Sequence, residues 1–302
     1  MDGTPGLWEV LSHWSFDVFW AAAIVVAGAW YLRSSRTLAL TDPRVAHPLW
    51  RTVSFMSALV IVGIAVMSPI HEYGDQLLWV NFTGFLVLTM LAPPLFVLGA
   101  PLTLAFRVSD AAGRRRLRRL YRHPVARSVT FPVTAWFLFA AVTYVWQFSS
   151  LTEIAARDWL VRDVQQVTLL LVGLVFWYVA LAVDPVFWRL AYPLRVLFVG
   201  VEMVHKGLFG GMFLSMSTPF HQSFAENLPA WGLSPMMDQR MAILILWIGG
   251  NLVFIAAIVG LINGWLCYEA RNQHRVDRRL EQARLAQREH SAALDRVFTK
   301  GI

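Results

Sequence analysis

Seven apolar segments, each near the roughly 20 residues that a helix needs to cross a bilayer, constrain this chain more than any other feature. They lie near 15–33, 51–70, 77–100, 128–148, 164–183, 190–216 and 241–268. The runs are continuous and rich in Leu, Val, Ala and Phe. They lack the alternation of a barrel strand, so they read as helices. The chain is 57% hydrophobic and only 15% charged, whereas globular chains run nearer a quarter charged. The excess apolar surface is therefore expected to face lipid. The expectation is an all-α polytopic membrane protein. It has a seven-transmembrane-helix bundle over 1–268 and a basic helical cytoplasmic tail over 269–302. The first apolar stretch follows an acidic, Trp-containing segment, which reads as the approach to a span rather than a cleaved signal. Trp14, Tyr31, Trp50, Trp79, Trp146, Trp159, Trp188, Trp231 and Tyr268 stand near span ends, where an amphipathic ring prefers to lie.

Orientation follows from the basic residues. Most of the 26 Lys and Arg fall in alternate connections. The first holds Arg33, Arg36, Arg44 and Arg51, and the third runs from Arg107 to Arg127. The fifth holds Arg189 and Arg195, and the tail is rich in arginine. Arg157, Arg162 and Arg240 stand on the other side. The positive-inside rule then places the N-terminus outside and the C-terminus in the cytoplasm. The run at 114–122 reads as a topology determinant against anionic lipid headgroups rather than a nucleic-acid patch. The tail carries a weak apolar stripe of Val276, Leu280, Ala283 and Leu294, suited to a membrane surface, a partner or plain solvation.

Ionisable groups inside a span are costly and are functional candidates by default. The sixth span holds Glu202, His205 and Lys206. Glu202 and Lys206 are four apart, so they share a helical face and can neutralise each other. Met212 and Met216 follow at the same spacing, then His221, with Met236, Met237 and Asp238 beyond. Thioether and imidazole together suit a soft ion such as Cu(I), although Met is also a common gap-filler. His205, Met212, Met216 and His221 are thus the candidate metal ligands. Asn81, Gln147, Gln165 and Gln166 fall at one depth near the outer ends of their spans, which suggests a shared amide network. Pro93 and Pro94 remove two backbone donors from the third span, which predicts a kinked, closely packed central helix. No Walker, GxGxxG, HExxH or GxSxG motif is present. The lone Cys267 excludes an internal disulfide. Together these point away from an enzyme.

Several segments resemble the CtaG family, multi-span proteins linked to assembly of cytochrome c oxidase of the haem-copper class. The resemblance rests on Ser68-Pro69 through Gly74-Asp75 and on Leu86 to Pro101, LVLTMLAPPLFVLGAP. It is supported by His123-Pro124, Trp146, Leu170 to Tyr178 (LLVGLVFWY), and Asp238-Gln239 followed by Trp247. The family carries outer-leaflet histidines in three places. Here those places read Asn81 with Phe85, then Gln147, then Arg162 with Gln165 and Gln166. Amides are poor copper ligands. Either copper has moved to the His205, Met212, Met216 and His221 region, or this is a divergent member that binds no metal. The resemblance implies a non-enzymatic assembly or accessory factor in a bacterial inner membrane. It would deliver copper or dock on oxidase subunits from the outer face. The alternative is a transporter for a small solute or metal ion, with Glu202, His205, Lys206 and the amides lining its path. A third reading, a haem enzyme ligated through His205, lacks a second histidine clearly inside the membrane.

Overall fold

The computed structural model describes residues 14–41, 47–229 and 233–299, with side chains given only in part beyond 273. Arg44, Trp231 and the apolar stripe of the tail lie outside that description. The described residues are helical, with no strand among them. In chain order the helices are α1 (Val18–Thr41), α2 (Leu49–Met67), α3 (Pro69–Tyr73), α4 (Leu78–Leu86), α5 (Ala92–Leu98), α6 (Pro101–Val108), α7 (Ala111–Tyr121) and α8 (Pro124–Val129). They continue as α9 (Pro132–Phe148), α10 (Leu151–Ala155), α11 (Trp159–Leu181), α12 (Tyr192–Leu214), α13 (Gln222–Glu226), α14 (Pro235–Leu244) and α15 (Gly250–Thr299). Wider π turns, Val87–Leu91 and Ile245–Gly249, join α4 to α5 and α14 to α15. Six helical stretches are long and apolar enough to cross a membrane, and α9 is a shorter apolar helix of 17 residues.

Helix ends depart from the sequence-based bounds for local reasons. The first helix runs on to Thr41, and along its last turns Ser35, Thr37 and Thr41 return their hydroxyls to carbonyls three or four residues back. α11 begins at Trp159, where Asp158 Oδ1 accepts from the Leu160 and Val161 amides, a carboxylate N-cap that also favours the helix dipole. The chain divides into two units, Met1–Ile258 and Val259–Ile302. The described residues of the second unit, up to Thr299, are helical. Cys267 is free and exposed there.

Within the first unit the α4–α5 region is central, as the prolines predicted. Of the apolar window in 78–108, 67% is buried, against 22% in α1 and α12. It packs on α2, on α11 and on the start of α14. Pro93 and Pro94 explain the local geometry. Pro93 has no N–H for the Thr89 carbonyl, and the chain widens so that Ala92 N–H reaches Val87 O instead. The orphaned Thr89 carbonyl accepts from Trp177 Nε1 at 3.1 Å. One turn earlier on α11, Gly173 lies against the same spot. A Cβ there would stand 2.8 Å from Pro93 Cγ and 2.9 Å from Thr89 O. The Leu86–Pro101 segment and the Leu170–Tyr178 segment are therefore two halves of one interlock.

Long-range bonds sort the connections into two ends. At one end Asp184 accepts from the Leu102 and Thr103 amides and the Thr103 hydroxyl. There Tyr31 donates to Gly99 O at 2.7 Å, and Trp188 donates to Arg127 O. At the other end Asp238 accepts from Leu78 N at 2.9 Å and Trp79 N at 3.3 Å. Arg162 reaches Asp75, and Ser15 N donates to Met67 O. The first is the Arg-rich end of the bundle, the second the Arg-poor end.

Candidate functional site

Two cavities lie near the Arg-poor end, one lined largely by polar groups and one by aromatic rings with a few polar groups among them. The first is built from the α3 region, the start of α4 and the first turns of α11. Ser68 Oγ caps α3 through Ile70 N, and Pro69 opens it. Asn81 Nδ2 donates to Gly74 O at 3.1 Å, fixing the turn that carries Asp75. Arg162 fills the centre. Its Nη2 meets Asp75 Oδ2 at 2.6 Å, its Nη1 donates to His71 Nε2 at 2.9 Å, and Nε and Nη2 reach Ala155 O and Ala156 O. A guanidinium has only donors, so His71 Nε2 accepts and its proton sits on Nδ1. The Gln166 amide lies 3.4 Å from that nitrogen. Its Oε1 has no partner, and the amide orientation that presents Oε1 to Nδ1–H gives the His71 proton an acceptor. Gln165 turns to Thr152.

Burial pushes the Asp75 carboxyl up to about 6, with Arg162 opposing and Glu72 adding to the rise. Burial, then Arg162, holds the His71 imidazole below its ordinary value. The two effects have opposite signs. The folded Asp75 favours its proton, so its contribution is present at low pH and is lost as pH rises through about 6. The folded His71 favours the neutral ring, so its contribution is lost as pH falls through the imidazole range. Asp75→Asn removes only the first effect. Its melting temperature in detergent is expected to drop more steeply than that of wild type between pH 7 and pH 5. Parallel curves would refute this.

The second cavity lies between α4, α9, α12 and α14. Tyr144, Gln147, Lys206, His221 and Gln239 line it with Phe82, Phe148, Phe209, Phe213 and Trp247. Asp238 and Gln239 do separate jobs. Asp238 accepts from two amides at the start of α4, and Gln239 Oε1 accepts from Phe220 N at 2.6 Å. Asp238→Ala is expected to cost about 0.5–2 kcal/mol, the usual range for a lost N-cap. Thermal unfolding checks it, and an unchanged melting temperature would show that the cap contributes nothing.

The sequence-predicted residues are thus only partly brought together. Asn81, Gln165 and Gln166 line the first cavity, while Gln147 lines the second. The expected single amide network is therefore two groups. Depth set by position along a helix says nothing of which way each amide turns. Among the described residues no direct ion-pair contact joins Glu202 to Lys206, although the Glu202 charge still acts on the Lys206 ammonium. Glu202 is fully buried and its nearest ionisable partner is His205, with Nδ1 at 3.4 Å from Oε2, while Lys206 Nζ lies over the Phe139 ring, 4.9 Å from its centroid. His205 and His221 face different surroundings. His205 sits among Trp136, Tyr144 and Phe209. His221 is 4% exposed, with Nε2 at 2.9 Å from Gln147 O and Nδ1 at 3.7 Å from Glu153. Met212 is half exposed. Among the described residues no group of three or more His, Cys, Asp or Glu is placed to hold a metal. His221 Nε2 is taken by Gln147 O and its Nδ1 faces Glu153, while His205 stands in a separate aromatic surrounding. Asp184, absent from the sequence reading, proved the organiser of the Arg-rich end. Its one signal was an acidic residue before Pro185 at the end of a span.

The comparisons with known proteins fit this architecture. A family model described as cytochrome c oxidase caa3 assembly factor matches residues 29–267. An uncharacterized protein of Mycobacterium bovis is 29% identical over 283 residues, covering 91% of this chain and 42% of that protein. An uncharacterized protein of Mycobacterium leprae is 28% identical over 281 residues, covering 90% and 42%. The chain thus spans less than half the length of these relatives. No solved structure matches.

Proposed function

The chain belongs to the family of cytochrome c oxidase caa3 assembly factors, and from that premise we propose that it is a non-enzymatic accessory factor of a bacterial inner membrane, docking on subunits of a haem-copper oxidase through its Arg-poor, outward-facing end. The observation that carries this reading is the family match over most of the bundle. It is supported by the interlock between the Leu86–Pro101 segment and Leu170–Tyr178, two of the segments that carry the resemblance. The bundle crosses seven times, N-terminus outside. The seventh crossing is α9, whose 17 residues span roughly 25 Å, and modest bilayer thinning covers the difference from the hydrocarbon core. The clustering of arginines at one end supports that orientation. The same family match favours assembly over transport.

In a strain deleted for this gene, assembled oxidase is expected to fall in detergent-solubilised membranes. Normal oxidase content and normal haem and copper would sink the proposal. Docking is favoured over copper delivery because His221 Nε2 is already bonded to Gln147 O, with Glu153 facing its Nδ1, and arginine and amides fill the first cavity. Elemental analysis of the purified protein decides the point. Stoichiometric copper, lost in His221→Ala, would restore the reading in which His205, Met212, Met216 and His221 hold the metal.

A further inference from the structure

At the Arg-rich end a third cavity opens beside α7. It holds about 370 Å³, room for roughly ten methylene groups if each takes the volume of a water molecule. α5, α6 and α11 give it Phe96, Phe106 and Leu174, and α7 closes one side with Leu117, Leu120 and Tyr121. Asp184, Thr130 and Tyr178 also stand on its wall, and all three are occupied inside the chain. Asp184 accepts from two amides and the Thr103 hydroxyl, Thr130 donates to Ala126 O, and Tyr178 donates to Pro185 O. Apart from the Tyr121 hydroxyl, what remains is carbon, so the groove suits a hydrocarbon chain rather than a polar ligand.

The helix beside the groove says what the chain is attached to. α7 has no buried residue, and Leu120 on its apolar face is 68% exposed. Arg114, Arg115, Arg116, Arg118, Arg119 and Arg122 crowd the same helix end, and among the described residues none is in ion-pair contact with a carboxylate. Asp110, the nearest acid in sequence, caps the helix through Gly113 N. Arg114 and Arg118, Arg115 and Arg119, and Arg118 and Arg122 are four apart, a spacing at which like charges destabilise a helix. An anion seated between two of them relieves that repulsion. At about 100° per residue, Arg114 and Arg118 flank the face of Leu117 and Tyr121, while Arg115 and Arg119 lie on the opposite side. Arginine stems can follow an apolar surface and keep their heads at its rim, and a guanidinium grips a phosphate through two parallel hydrogen bonds. A choline headgroup would bring a cation against these arginines, so the fitting headgroup carries net negative charge.

We propose that α7 and the groove beside it bind one anionic phospholipid, with an acyl chain in the groove against Phe96, Phe106 and Leu174 and the phosphate between Arg114 and Arg118. The site rests on the Arg-rich end meeting a membrane surface and not on the oxidase docking, so either can fail without the other.

The probe is dioleoyl phosphatidylglycerol, titrated into the full chain delipidated in nonionic detergent, with bound lipid read by native mass spectrometry. Dioleoyl phosphatidylcholine has the same chains without net charge, and glycerol phosphate has the anion without the chains. Saturable phosphatidylglycerol binding is expected, about tenfold tighter than phosphatidylcholine, with glycerol phosphate failing to displace it. Arg114→Gln combined with Arg118→Gln is expected to weaken it about tenfold. Arg115→Gln combined with Arg119→Gln removes the same charge from the other side of α7 and is expected to change affinity less than about twofold. Ala126→Trp places a ring on the groove wall and leaves every charge in place; it is expected to weaken binding about tenfold. The melting temperature of each variant, measured alongside, confirms that the titrated protein is folded. Absence of saturable binding, equal affinity for the two lipids, equal loss in the two arginine pairs, displacement by glycerol phosphate, or unchanged affinity in folded Ala126→Trp would each overturn the proposal.

Discussion

Gly173→Ala is expected to destabilise the protein by about 1–3 kcal/mol, the range for forcing extra volume into a packed core. The new methyl would stand 2.8 Å from Pro93 Cγ and 2.9 Å from the Thr89 carbonyl. A proline ring and a backbone oxygen cannot step aside as the end of a flexible side chain can. Gly173→Leu would exceed that range and is expected to prevent accumulation in the membrane. Trp177→Phe tests the same interlock by subtraction. It keeps an aromatic ring beside Phe176 and Phe254 but removes the only donor recorded for an otherwise orphaned carbonyl. The expected loss is again about 1–3 kcal/mol, the cost of a buried acceptor left unmade. Thermal unfolding in detergent measures both. Wild-type melting in Gly173→Ala would show that α11 moves freely against α5, and the interlock would not be a structural constraint.

That interlock shows where sequence reading succeeds and where it stops. Two prolines announce two missing donors, so a closely packed central helix with an irregular turn was legible from residues 93 and 94 alone. Which group answers the freed Thr89 carbonyl was not, because Trp177 lies 88 residues away along the chain and periodicity carries no such pairing. The apolar segments were legible because length and hydropathy are local quantities; their ends shifted where a single polar residue, such as Asp158 before α11, supplied a cap. The candidate site was legible as a set of residues but not as a geometry. Helical spacing puts both His205 and Lys206 within reach of Glu202, and the neighbouring helix decides between them. Phe139 takes the ammonium, and the carboxylate is left beside His205. The pairing of Arg162 with Asp75, 87 residues apart, was hidden for the same reason. Each residue alone looks like an ordinary connection charge.

Arg162→Met is expected to be the most damaging single change at the Arg-poor end. One guanidinium holds Asp75, His71 and two backbone carbonyls, so its removal strands four acceptors at once. Removing one partner of a fully buried ion pair costs about 3–5 kcal/mol. The side chains of Arg162 and Asp75 are 18% and 30% exposed, and that solvent access lowers the expectation to about 1–3 kcal/mol. The double variant Asp75→Asn with Arg162→Met discriminates pairing from mere packing. If Arg162 acts mainly as the counter-ion of Asp75, the double variant loses less stability than the sum of the two single losses, because no uncompensated carboxylate remains. If the losses simply add, the charge pair contributes nothing of its own, and the bonds to Ala155 O and Ala156 O are what tie α11 to the turn after α10. Arg162→Lys sharpens the distinction: it keeps the charge but cannot span Asp75, His71 and both carbonyls with a single ammonium. It is expected to recover the Asp75 interaction while leaving His71 without its donor. Burial and a neighbouring positive charge both remain in that variant, so His71 is expected to keep its lowered titration, whereas Arg162→Met removes the charge and moves His71 toward its ordinary value, a difference readable by NMR of labelled histidine.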